Sequence, residues 1–329
     1  MTQDMTTGNL VKLILYFSIP LLIGNIFQQF YSMVDTIIVG KFLGIKALAA
    51  VGYTGSMVFL IMGFVLGLTS GFSVLVSQRF GANDKEGVKY AVGSAIILSI
   101  IMAILITIVS MVTARPLLNA IKTPSDIIND SYSYIIVIYG GLFATFFYNM
   151  ISSILRALGD SKTPLYFLII ASILNIVLDL VFIVNFSMGV AGAAYATVIS
   201  QGFSGVLCLI YTAKKFPILK LEKKHFKFDI NYFKKHLNIG IPMDLQFSIT
   251  AIGAIILQGM GYTFTPMIAG VCELVARTVV SFTLPLAIGY TGVCLAGPFA
   301  WIAACIPLMI EYFRKINILN ASECCSINV

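Results

Sequence analysis

Long apolar runs separated by short polar stretches make up almost the whole chain. Nine such runs cover about residues 10–39, 48–76, 88–113, 127–155, 165–186, 190–211, 237–257, 267–288 and 292–313. Each is near or above the ~20 residues that cross a bilayer as a helix, so the pattern predicts nine transmembrane helices. Runs beyond about 25 residues imply tilt, kinks or projecting ends. Pro20 is the expected bend of the first helix, because its ring clashes with the preceding turn and it lacks an N–H. Gly63, Gly67 and Gly71 recur every four residues in the second run, a ridge suited to close helix packing. Residues 1–10 have neither a basic stretch nor a small-residue cleavage site, so the first run reads as a retained helix.

The polar exceptions within the runs carry the candidate chemistry. The stretch 173–184, ILNIVLDLVFIV, contains Asn175 and Asp179 four residues apart, on one helix face and about 6 Å apart along the axis. An ionised carboxylate in hydrocarbon costs at least ~2.5 kcal/mol, which points to a proton or cation site facing a polar cavity. The alternative is an amide and an acid bonding a neighbouring helix, the role also assigned to Gln28, Gln29 and Asn149. Of the fourteen acids, Asp35, Asp179, Asp244 and Glu273 fall inside runs more than three residues from either end. Asp35 and Asp179 lie at a similar depth, roughly 7 to 11 Å below the outer edge, and Thr197 reaches the same level from the sixth run. Asp35, Asn175, Asp179 and Thr197 would thus share one cavity, with two carboxylates able to exchange a proton. Glu273 and Arg277 are spaced as an intrahelical ion pair, while Asp244 sits near the start of its run, at headgroup level or within the span.

Composition fixes the class as an all-α polytopic membrane protein: 59% of the 329 residues are hydrophobic and 11% charged, with mean hydropathy +0.96. The net charge of +7 therefore bears on membrane orientation and gives no sign of nucleic acid. Four of the six cysteines lie in apolar runs, and Cys324 and Cys325 occupy a tail one residue out of register for prenylation. No nucleotide loop, nucleophile triad or metal motif supports an enzyme, and no cofactor is expected.

Residues 213–236, AKKFPILKLEKKHFKFDINYFKKH, hold eight lysines and both histidines. The segment reads as a basic linker lying on cytoplasmic headgroups between a six-helix lobe, 1–212, and a shorter one, 237–329. His225 and His236 are expected to be solvated. With the N-terminus cytoplasmic, inner segments through the linker collect fourteen basic residues against four in outer loops, which supports that orientation.

Internal repeats then expose a shortfall. LRALGDSKTP at 155–164 is echoed by LQGMGYTFTP at 257–266, and GVAGAAYA at 189–196 by GYTGVCLA at 289–296. Parallel repeats are a transporter architecture. Yet 139 residues separate Pro20 from Gly159, and only 19 separate their counterparts Pro242 and Gly261. About 120 residues, enough for three helices, are missing from the second half, which leaves a lobe of about three helices.

YSMVDTIIVGKFLGIKALAAVG, SQRFGANDKEGV, LRALGDSKTP, LNIVLDLVF and GVAGAAYATVISQ resemble the multidrug and toxic compound extrusion transporters. The resemblance implies a monomeric twelve-helix antiporter of the cell membrane, exporting amphipathic, often cationic small molecules. It matches Asp35, Asn175, Asp179 and Thr197 to an H⁺ or Na⁺ site, with no other metal, and Pro20 to the bend of the first helix. Two other readings stay open. A lipid-linked oligosaccharide flippase would line its cavity with arginines, of which only Arg277 is expected inside a span; a non-functional remnant would follow from the missing helices. Loss of three spans would also invert the last two helices and leave Arg314 and Lys315 outside, so that one of the last three spans fails to insert or the lobe assembles loosely and is degraded, and export is weak or absent.

Overall fold

Backbone amides cannot stay unpaired in hydrocarbon, so a chain this apolar is bound to fold its polar main chain into helices. The computed structural model describes residues 10–226, 229–259 and isolated positions between 272 and 314, and the described residues contain no strand. The helices are α1 (Leu10–Gly81), α2 (Lys85–Ala120), α3 (Ile128–Gly140), α4 (Leu142–Ala157), α5 (Lys162–Leu180), α6 (Gly189–Lys215) and α7 (Ile230–Gly259). Chain contacts divide the protein into two units, Met1–Ser248 and Ile249–Val329. Most of the second unit, including most of the runs 267–288 and 292–313 and all of Glu273, Arg277, Cys324 and Cys325, lies outside the described residues.

The 72 residues of α1 would reach roughly 108 Å as one rod, more than three bilayer cores. Gly44 divides it, with φ 85° and ψ −178°, a conformation that only glycine adopts cheaply. The two limbs correspond to the first two apolar runs, and the helix continues through Pro20. The run 127–155, expected as one helix, is bent by 46° between α3 and α4. A π-helical turn, Val181–Asn185, extends α5 immediately beyond Asp179. With α1 counted as two crossings and α3 with α4 as one, α2, α5 and α6 complete six in the first unit, and the protein is a multi-pass membrane protein.

Helix α5 is turned inside out. Its buried residues include Pro164, Ala171, Ser172, Asn175 and Asp179, whereas Tyr166, Ile170, Ile173, Val177 and Leu180 are exposed. Lipid solvates the apolar face, so the polar stripe turns inward, where partners exist. α5 and α4 both pack on α6. Gly71 of the ridge meets α7: its Cβ would lie 2.5 Å from the Gly240 Cα, so Gly71 cannot carry a side chain without parting the helices, and a Cβ on Gly240 would press on the Phe72 ring at 2.8 Å.

Turn residues set the helix starts. Asp84 accepts a hydrogen bond from the Gly87 N–H at 2.8 Å and pairs with Arg79 at 3.0 Å. Asp160 accepts from both the backbone N–H and the hydroxyl of Thr163, at 3.0 and 2.7 Å. These contacts explain the GANDKEGV and LGDSKTP stretches as helix caps.

The linker departs from expectation. His225 and His236 are fully buried, and so are Phe216 and Phe233. The segment after α6 folds back on α2: the Glu222 N–H donates to His225 Nδ1 at 2.8 Å, which leaves Nε2 to face Glu86 Oε2 at 3.3 Å. Lys224 bridges Glu86 and Glu222, each at 3.3 Å; Glu222 first and Glu86 second hold its ammonium above the ordinary lysine range. Gly93 makes room for this clasp, because a Cβ there would sit 2.2 Å from the His225 carbonyl oxygen. His236 places Nε2 3.1 Å from the Ala91 carbonyl and stacks edge-on to Phe72. The solvated reading of both histidines fails because the apolar residues between the lysines find protein to cover.

Candidate functional site

Four helices build the site in the half of the bundle away from the clasp. The Asp160–Lys215 pair, 3.7 Å apart, ties the start of α5 to the end of α6. Seventeen residues of helix separate Lys162 from Asp179, so that acid lies about 26 Å from the end of the bundle that carries the clasp. Asn175 and Asp179 are fully buried. Thr197 reaches them from α6, its Oγ1 accepting from Asn175 Nδ2 at 3.3 Å and from the Tyr31 hydroxyl at 3.2 Å. Asp35, one turn beyond Tyr31 on α1, is half-buried, and its carboxyl neighbours that of Asp179. Tyr134 of α3, also buried, faces the same group.

The structure therefore gathers Asp35, Asn175, Asp179 and Thr197 into one cluster, together with Tyr31 and Tyr134. Sequence reasoning missed the two tyrosines. Tyr31 precedes Asp35 by four residues and so shares its helix face, a usable signal. Tyr134 is brought in only by the fold. The Asp244 side chain lies outside the described residues.

The oxygen balance of the cluster is unusual. Asp35 Oδ1, both Asp179 carboxyl oxygens and Asn175 Oδ1 are buried without a hydrogen-bond donor. Each buried unsatisfied acceptor costs on the order of 1–3 kcal/mol, and more when charged. A shared proton would turn one carboxyl into a donor to the other, and a hard cation would take oxygens as ligands. The donor set is all oxygen, which suits H⁺ or Na⁺; among the described residues no group of three His, Cys, Asp or Glu side chains could hold a metal ion.

A cavity of about 200 Å³ extends from Tyr31 toward the clasp end, and Asp35, Asn175, Asp179 and Thr197 do not line it. Tyr31 forms one of its walls, and Pro20, Gln28, Asn149, Ser152 and Arg156 also line it. Thr145 Oγ1 donates to Gln201 Oε1 at 2.7 Å, and Asn149 Nδ2 to the Thr145 carbonyl at 2.8 Å, so much of the polar lining is internally bonded. Arg156 corrects the expectation that Arg277 alone would supply an arginine inside the bundle.

Residues 20–181 match the MatE family model. Over 286 residues the chain is 33% identical to the probable multidrug resistance protein YpnP of Bacillus subtilis, covering 86% of this chain and 63% of that one. It is 29% identical over 261 residues to the probable multidrug resistance protein YoeA of the same organism, covering 77% and 56%. Among solved structures it is similar to a MOP superfamily transporter from Pyrococcus furiosus, with TM-score 0.72 and 26% identity over 94% of this chain and 71% of that one. A crystal structure of MATE in the bent conformation gives TM-score 0.70 and 27% identity, covering 94% and 70%. The chain thus spans about three-fifths of the length of the curated relatives it matches.

Proposed function

The chain belongs to the MatE family, and on that premise we propose that it is a multidrug efflux protein of the cell membrane. It exchanges amphipathic small molecules for H⁺ or Na⁺, with Asp35, Asn175, Asp179 and Thr197 holding the coupling ion and the 213–236 linker on the cytoplasmic side. The observation that carries the reading is the buried carboxyl pair whose oxygens lack donors. Such a pair is costly unless something mobile and positive completes it, and a coupling ion is mobile and positive. H⁺ is favoured slightly, because two adjacent acids share one proton naturally. Sodium-dependent thermal stabilisation that vanishes in Asp179→Asn would reverse that choice.

The shortened second half lowers transport in this proposal. Three helices fewer leave one wall of a two-lobed cavity incomplete, and the first unit keeps the ion site while export is weak. Dye efflux from cells expressing this chain, beside a chain with three helices restored after Leu257, tests both parts. Restored efflux abolished by Asp179→Asn supports the reading; strong efflux from the short chain that is indifferent to Asp35→Asn and Asp179→Asn overturns it.

A further inference from the structure

The cavity beneath the acid cluster has a chemical polarity that ion coupling leaves unexplained. Of the residues lining it, one is charged, and that residue is Arg156. Its guanidinium Nη2 donates to Ser153 Oγ at 2.8 Å. Among the described residues no carboxylate lies within 4 Å of it; the nearby Asp160 is taken by Thr163 and Lys215. A guanidinium presents five donors in a planar fork, and one serine uses one of them. Beside it in the lining stands Ser152, 1% exposed, whose Oγ has no hydrogen-bond partner. Ser161, just before the first turn of α5, completes the polar end. Met62, Leu66, Leu165 and Leu168 supply apolar lining to the same cavity.

We propose that Arg156 and Ser152 form a binding site for the oxyanion group of an amphipathic solute, a carboxylate above all, whose apolar body lies along the leucine wall toward Tyr31. A half-buried guanidinium facing a cavity gains most from a planar oxyanion that accepts two parallel N–H bonds. The orphaned Ser152 hydroxyl supplies a third donor. The inference rests on the efflux reading and narrows it, since the favoured solutes carry a negative group and are not simple cations. A carboxylate at Arg156 would share its cavity with Tyr31, whose hydroxyl bonds Thr197 of the acid cluster.

The test uses the purified full chain in nanodiscs of neutral lipid. Benzoate is the probe, with benzamide as neutral isostere and benzylamine as cation, read by the shift of thermal midpoint with ligand concentration. The expected result is saturable stabilisation by benzoate at least tenfold tighter than by benzamide, none by benzylamine, loss in Arg156→Gln and partial retention in Arg156→Lys. Because Arg156→Gln also removes the Ser153 bond, which bears on the fold, Ala171→Leu serves as a second variant. It narrows the cavity from α5 without touching the charge, and should weaken benzoate several-fold when each ligand shift is read against the variant's own unliganded midpoint. Equal affinity for benzoate and benzamide overturns the proposal, as does benzoate binding untouched by both variants. Stabilisation by phosphatidylglycerol in the disc, with none by benzoate, assigns the guanidinium to lipid headgroups and also overturns it. None of these readouts involves ion coupling: failure of benzoate with efflux still dependent on Asp179 sinks this inference alone, and the converse sinks only the efflux reading.

Discussion

Asp35 and Asp179 were legible as a pair because a carboxylate inside an apolar run is expensive, and equal depth in two helices made a shared cavity the economical arrangement. Their coupling is measurable. Asp35→Asn and Asp179→Asn should each remove a protonated-carboxyl band from the infrared difference spectrum, and the double mutant should deviate from additivity in thermal stability by about 0.5–3 kcal/mol. Independent effects would mean that the two acids do not share their proton. Tyr31 was not legible, since a tyrosine in an apolar run is ordinary; only the hydroxyl bond to Thr197 at 3.2 Å gives it a role. Tyr31→Phe should cost about 1 kcal/mol of stability and release Thr197, visible as altered ion affinity in the same infrared titration. The histidines were misread for the opposite reason, because eight neighbouring lysines outweighed the Phe and Leu residues that bury them.

Among elements, the sequence showed where helices run but not where they break. Gly44 splits α1 because a left-handed dihedral needs a residue without Cβ, yet many glycines in this chain sit in unbroken helix, so type alone does not locate the break. The α3/α4 bend and the π turn after Asp179 leave no periodicity signal, since both sides stay apolar. The glycine ridge was legible, and Gly71 realises it against Gly240. Gly71→Ala should cost about 1–3 kcal/mol through overpacking, read as a lower melting midpoint in detergent, while an alanine at Gly52, which has open space beside it, should change little. The clasp is a further element-scale object. Glu86→Gln replaces the carboxylate shared by Lys224 and His225 with a neutral amide, so trypsin should cut at Lys220 and Lys223 several-fold faster. Lys224 has its folded-state pKa raised, so its contribution is complete below the ordinary lysine range and fades only as pH rises past it. In the parent chain, cleavage per unit of protease activity should accordingly stay flat between about pH 7 and 9.

For the molecule as a whole, composition and repeats established an all-α membrane protein with a six-helix first lobe and a shortened second part, and the family match supports the same class. The unit Met1–Ser248 holds the acid cluster, the cavity and the clasp together. The acid cluster also imposes a schedule on biosynthesis. Asp35 and Asp179 are 144 positions apart, and a ribosome adding ~5–20 residues per second needs roughly 7 to 30 s to cover that distance. Through that interval the first limb of α1 stands in the bilayer with a solitary acid and a face that α5 and α6 have yet to cover. The lobe is therefore most open to quality-control proteases before α5 emerges. Synonymous codon changes that slow translation between α1 and α5 would lengthen that exposure without altering a single residue of the finished protein.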